Sequence, residues 1–242
     1  MGELNQRVQI IPAVMPRSFT DLEEHLAPLK DVIRLAQVDV VDGQYAKGTT
    51  WPYRDAATFD KIAKEERGLP FWDTIDYQFD LMIHNPHLVL KEYLAAGASH
   101  VVLHAKSAGA QEALQMIVDL RTEEVGSFSV HGGMALGPED QPDILEPFEA
   151  QFDFVQVMGI DREGRQGEPF DKKALYLVER LRSRYPKLPI QVDGGVSLQN
   201  ARELVAAGAS RLVVGSAIFK AEDPLAAYQE FVALVNQNLV IR

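Results

Sequence analysis

No cysteine occurs in the sequence, so disulfides, thiolate nucleophiles and cysteine-ligated metals are excluded, and a cytoplasmic location is expected. No apolar run approaches the roughly 18 residues needed to cross a bilayer, and residues 1–8 are polar, without the apolar centre of a secretion signal. Cations are the minority: 24 Lys and Arg stand against 35 Asp and Glu, giving a net charge of −11 with no basic cluster. Neither nucleic acid nor an anionic membrane is therefore expected as a partner, and an anionic ligand has to be captured locally. A Gly-x-Gly-x-x-Gly fingerprint after the first strand is also missing, which argues against a doubly wound dinucleotide fold. No organic cofactor is expected.

What is present is a regular alternation. Strand candidates are Val8–Ile11, which Pro12 is expected to break, then the stretches Leu35–Gly43, Tyr77–Ile83, Val101–His104, Ser129–Leu136, Phe154–Met158, Pro189–Asp193 and Arg211–Val214. Helices are expected from Ser18 to about Leu29, near Ala56–Arg67, from Pro86 to Ala95, over Gln111–Glu124, Asp171–Tyr185 and Leu198–Ala207, and after the Asp223-Pro224 start. The helix stops Ala95–His100 and Ala206–Arg211 nearly repeat each other, as one helix-to-strand connection used twice. Eight strands, each followed by helix-compatible sequence with no linker composition between them, predict a single (β/α)8 TIM barrel spanning 1–242 as one domain.

Two stretches carry the strongest ligand signal. Gln191–Val196 and Arg211–Phe219 are β-branched runs that end abruptly in glycine, which lets backbone N–H groups approach an anion closely. The loops after the last two strands of such a barrel are its usual phosphate site, so Gly194, Gly195, Gly215 and Ser216 are expected to bind phosphate. Gly167 is expected to close over it from the glycine- and charge-rich loop after the sixth strand, which has the composition of a lid.

Within the apolar second strand, Gln37 and Asp39 alternate and so face the same way, with Asp39 near the mouth; Asp193 ends the seventh strand. Two carboxylates on opposite walls of a mouth that holds a phosphate suit removal of a proton from one face of a carbon and its return to the other. The plainer alternative is that each caps the loop that follows. Asp42, in an Asp-Gly turn dipeptide, reads as structural. His104 and His131 are candidates to hydrogen-bond a substrate or to sit as satisfied core residues. Arg162 and Arg165 could clamp a second anionic group or simply be solvated, and Trp51 and Tyr53 could wall the pocket or pack on the rim.

In order and spacing, Ile11-Pro12-Ala13, Val38–Gly43, Asp80–Ile83 with Pro86, Ala98–His104, Gly133–Pro138, Val157-Met158, Val192–Val196 and Gly215–Phe219 resemble the ribulose-phosphate 3-epimerase family over nearly the whole chain. The resemblance implies a sugar-phosphate epimerase with Asp39 and Asp193 as the acid/base pair, both on a divalent metal that stabilises an enediolate. It implies a phosphorylated sugar substrate, with Met82, His104 and Met158 in its pocket. The family's two remaining metal ligands are histidines, and their places hold Gln37 and Asp80. The expected serine after Pro12 is Ala13, the expected methionine is Val41, and the lid reads Asp161–Phe170 where the family has a Pro-Gly-Phe-Gly-Gly-Gln phrase. A set of Gln37, Asp39, Asp80 and Asp193 is all oxygen, which suits Mg²⁺ or Mn²⁺ better than Zn²⁺. Two other functions stay open: a Mg-dependent decarboxylase or aldolase on the same barrel, disfavoured because Gln78–Leu81 lacks that group's Asp-x-Lys phrase, and a non-catalytic phosphometabolite-binding protein. A homo-oligomer is expected.

Overall fold

The computed structural model describes residues 7–122, 130–161, 164 and 167–237. Eight parallel strands run β1 (Gln9–Val14), β2 (Leu35–Val41), β3 (Asp76–Met82), β4 (Ala98–His104), β5 (His131–Leu136), β6 (Phe154–Met158), β7 (Ile190–Asp193) and β8 (Arg211–Val214), and β8 pairs back onto β1 to close the barrel. Outside it lie α1 (Phe19–Leu26), α2 (Ala56–Ala63), α3 (Leu90–Ala95), α4 (Ala110–Thr122), α5 (Lys173–Arg184), α6 (Ala201–Ala207), α7 (Ser216–Phe219) and α8 (Pro224–Asn236). This is the predicted (β/α)8 barrel. Among the described residues no helix is long and apolar enough to cross a membrane.

Local chemistry accounts for several boundaries. The Ser18 hydroxyl accepts from the Asp21 N–H at 3.1 Å to start α1, and Asp223 does the same for Ala226 at 3.0 Å to start α8. Both repeated helix stops use a left-handed glycine, Gly97 at φ +96° and Gly208 at φ +118°. Two expectations are corrected. Pro12 does not end the first strand: β1 pairs with β8 as far as Pro12 and with β2 from Ala13, so the residue without an N–H stands where the strand changes partners. The β5–β6 connection carries no α-helix but a 3₁₀ segment, Pro142–Phe148, whose Pro147 lies inside it and cannot donate an α-helical bond. Several predicted helices are shorter than expected: α2 ends at Ala63, and Pro86–Leu88 form a 3₁₀ turn before α3. The expected ends at Ser129 and Glu124 lie outside the described residues.

The strands separate two environments by their two-residue period. Val38, Val40, Phe79, Leu81, Val155, Val157, Ile190 and Val192 join the main apolar cluster shared with the helices. Inside the barrel, two small apolar clusters, Ile11 with Ala13, Leu35 and Val213, and Val102 with Ala135, Phe154 and Met158, flank a polar centre. That centre contains Gln37, Gln78, Gln156 and Gln191, all at 0% exposure, with Asp39, Asp80 and Asp193 beside them. Amides and carboxylates so deeply buried are tolerable only if hydrogen-bonded, and they organise the site.

Candidate active site

Register places the key side chains without further help: Gln37 pairs with Gln78 and Asp39 with Asp80 across β2–β3, while Gln156 pairs with Gln191 and Met158 with Asp193 across β6–β7. The three aspartates converge, each offering an oxygen within 4.8 Å of the others'. Gln37 Nε2 bridges two of them, donating to Asp39 Oδ1 and to Asp193 Oδ2, both at 2.7 Å. Asp80 is held at both oxygens: His104 Nε2 lies 2.8 Å from Oδ1, and Gln156 Nε2 donates to Oδ2 at 2.8 Å. Gln156 also reaches Asp193 Oδ2 at 3.4 Å.

The electrostatics follow from crowding. Burial, then the charges of Asp193 and Asp80, push the Asp39 carboxyl well above the usual carboxylate range, against the Gln37 hydrogen bond and the nearby His104. Burial and then Asp80 push Asp193 up to about 7, opposed by Gln37, by His104 and by a hydrogen bond from the Gly194 N–H. Burial and mutual repulsion thus act on both carboxyls in the same direction, favouring the protonated form of each.

Asp39 and Asp193 open onto a pocket that Met82, Met158, Gly167, Gly194, Gly195, Gly215 and Ser216 also line. The glycine stretches predicted from sequence thus meet the two carboxylates in one cavity. Gly195 sits at φ +65°, and a Cβ there would lie 2.8 Å from the Phe170 Cα, so glycine lets the β7 loop press against the backbone of the loop after β6. Asn200 braces that turn, donating to Gly195 O at 2.9 Å and accepting from Ser197 N at 2.8 Å. The Gly194 N–H is engaged by the Asp193 carboxylate. Lys220, which follows α7, brings its Nζ to 3.4 Å from where a Gly167 Cβ would be.

Other expected residues land elsewhere. His104 is buried and does not line the pocket; it is the partner of Asp80, and the Tyr45 ring packs 5.0 Å from it. His131 begins β5, at the opposite end of the barrel, with its ring 4.9 Å from that of His100. Trp51 is fully buried, edge-on to Phe19 and Phe59, so it packs the rim rather than walling the pocket. Asp42 is structural as read: Oδ1 accepts from Gln44 N and Tyr45 N at 2.7 and 2.8 Å, and Oδ2 from His84 N at 2.8 Å. Arg162 and Arg165 lie outside the described residues. Sequence reasoning passed over Gln78, Gln156, Gln191 and Lys220. The three glutamines carry the signal that drew attention to Gln37, a lone amide at an inward position of an apolar strand.

A family model described as the ribulose-phosphate 3 epimerase family matches residues 9–219. The chain belongs to the ribulose-phosphate 3-epimerase family. It is 32% identical over 220 residues to the ribulose-phosphate 3-epimerase of Schizosaccharomyces pombe, covering 90% of this chain and 90% of that one. It is 27% identical over 222 residues to that of Escherichia coli, covering 88% and 90%. Among solved structures, 3-hexulose-6-phosphate synthase from Salmonella typhimurium superposes with TM-score 0.68 at 18% identity, covering 95% of this chain and 99% of that one. KGPDC from Streptococcus mutans gives TM-score 0.68 at 11% identity, covering 96% and 99%. These two likenesses concern the fold alone.

The family's divalent cation can be tested against the residues present. Three carboxylates within 4.8 Å of one another form an oxygen set for a hard cation, and their mutual repulsion is what such a cation relieves. Asp39, Asp80 and Asp193 therefore fit it. Gln37, as placed, turns N–H rather than oxygen towards the carboxylates and is a hydrogen-bond donor to the set.

Proposed function

We propose that the chain is a sugar-phosphate epimerase of the ribulose-phosphate 3-epimerase type, acting on a phosphorylated ketose through Asp39 and Asp193. The observation that carries this reading is that both carboxylates open onto the one pocket lined by the glycines of the β7 and β8 loops. A phosphate monoester seated on the N–H groups of Gly195, Gly215 and Ser216, with Lys220 and Gly167 above it, leaves its sugar between the two carboxylates. Met82 and Met158 supply the apolar walls.

The ionised member of the pair removes the proton from the carbon beside the carbonyl, and its electron pair moves into an enediolate. The protonated member then returns a proton to the opposite face, inverting that carbon with no net change in protons. One proton held by the pair suits this exchange of roles, because each carboxylate is acid in one direction and base in the other. Gln37 holds both at 2.7 Å from one nitrogen and so fixes their separation. A divalent cation held by Asp39, Asp80 and Asp193 would supply positive charge to the enediolate oxygens, and Mg²⁺ or Mn²⁺ suits an all-oxygen set better than Zn²⁺.

The test is incubation with ribulose 5-phosphate and related ketose phosphates in deuterium oxide, with Mg²⁺, Mn²⁺ or Zn²⁺ added. Deuterium appears at the carbon beside the carbonyl together with its epimer. No exchange on any of these substrates would sink the reading and leave a phosphometabolite-binding protein in its place.

A further inference from the structure

The four buried glutamines have an order of donors and acceptors that is set from two sides. Gln37 turns its Nε2 to Asp39 and Asp193, and Gln156 turns its Nε2 to Asp80, so the carboxyl oxygens accept at each of these three contacts. Their Oε1 atoms need donors in turn. Gln191 Nε2 donates to both, to Gln156 Oε1 in a short bond and to Gln37 Oε1 at 3.4 Å. Gln78 Nε2 adds a second donor to Gln37 Oε1 at 2.6 Å. Gln191 is fully buried, does not line the pocket, and its own Oε1 accepts from no described residue. Turning the Gln191 amide over would set its oxygen against two other amide oxygens, so its orientation is fixed by its neighbours.

We propose that Gln191 is a positioning residue for the carboxylate centre: by giving one amide nitrogen to two oxygens, it keeps Gln37 and Gln156 presenting N–H to Asp39, Asp80 and Asp193. The consequence concerns the cation. Those N–H groups place partial positive charge on the carboxylate oxygens that a divalent ion seeks. Recruiting Gln156 Oε1 as a ligand requires turning the amide over and breaking its short bond from Gln191, and recruiting Gln37 Oε1 breaks both the bond from Gln191 and the 2.6 Å bond from Gln78. The belt thus holds the centre for weak, exchangeable cation binding while keeping the two proton-carrying carboxylates apart. Only its effect on turnover rests on the epimerase reading; its effect on the cation does not.

Gln191→Met removes the donor at similar volume and unchanged charge, and Gln191→Glu replaces it with a group that demands N–H from both neighbours. Binding of Mn²⁺ alone is measured from the loss of the free-ion electron paramagnetic resonance signal, with cooperative thermal unfolding as the check on the fold. Gln191→Met is expected to tighten Mn²⁺ binding about threefold to tenfold, the worth of one neutral hydrogen bond. Gln191→Glu is expected to tighten it further, since its oxygens accept N–H from Gln37 and Gln156 and so turn both amide oxygens towards the ion. A folded Gln191→Met that binds Mn²⁺ no better than the parent, including the case in which neither binds it, overturns the proposal. Should Gln191→Met not fold, the same outcome in Gln191→Glu overturns it. On ketose phosphates Gln191→Met lowers kcat with little change in KM, because the phosphate cradle is untouched. An inactive parent would refute the epimerase reading while the Mn²⁺ titration still decides the role of Gln191.

Discussion

The imidazole of His104 reaches the carboxylate of Asp80 at 2.8 Å, and the two are 1% and 0% exposed. Removing one partner of such a buried hydrogen bond leaves the other unsatisfied, at a typical cost of about 1–3 kcal/mol. His104→Leu is therefore expected to be strongly destabilising in denaturant unfolding, and Asp80→Asn, which keeps an oxygen for His104 or Gln156, much less so. Equal losses for the two variants would mean that the pair is not what holds Asp80 in place.

A pH dependence follows from the raised carboxyls. Asp193 titrates near 7 in the folded chain and near the ordinary carboxyl value, about 3.9, when unfolded. The folded state therefore binds this proton more tightly, and the stability it contributes is fully present below about pH 4 and is lost as pH rises towards 7. Asp39 shifts the same way, mainly through burial. In chelator-treated protein, Asp193→Asn should gain in Tm over the parent, with the gain growing between pH 4 and 7 and levelling off above. The difference between the proteins is the quantity to follow, because exposed pairs such as Arg184–Glu149 weaken both alike in acid. A gain that shrinks with rising pH would contradict the assignment, and added Mn²⁺ should stabilise the parent most at pH 8.

The barrel was legible because the strand and helix periods are regular and the glycine-ended strands are distinctive. Pro12 misled because a proline normally ends a strand, and only the register shows it standing where β1 changes partners. Asp39, Asp80 and Asp193 were readable as a converging set, since inward alternation and strand ends define the mouth of a barrel. His104 was not, because its partner lies 24 residues away on the neighbouring strand, and nothing local distinguishes a histidine facing a ligand from one facing a carboxylate. The same holds for Gln156 and Gln191, whose meaning depends on one another across β6 and β7.

Lys220 offers a test of the phosphate end. Its exposed side chain makes no ion pair among the described residues and lies against Gly167, at the edge of the pocket. Lys220→Met should weaken binding of ribulose 5-phosphate severalfold to about tenfold, less than a buried charged hydrogen bond would give because water screens the site. The loss should shrink at high salt, as calorimetric titration at two ionic strengths would show. Gly195→Ala is a poorer probe than Lys220→Met, since its Cβ would strike the Phe170 backbone and disturb the loop after β6 as well as the loop after β7.

The sharpest prediction separates Asp39 from Asp193. If, as proposed, each carboxylate serves one face of the reacting carbon, inversion needs both, whereas exchange of a proton with solvent needs only the one facing the C–H bond of the epimer supplied. Asp39→Asn and Asp193→Asn should each lose epimerisation by at least about a thousandfold, within the range of a lost general acid or base. Each should still wash deuterium into one epimer, and the two variants should choose opposite epimers. The asparagine removes a proton carrier with little change in volume and keeps an oxygen for the bond from Gln37 Nε2, which reaches both residues at 2.7 Å in the parent. Nuclear magnetic resonance of each purified epimer in deuterium oxide reads the outcome directly. If both variants exchange the same epimer, a single base serves both faces, and the opposed pair is not the proton-transfer machinery of this pocket.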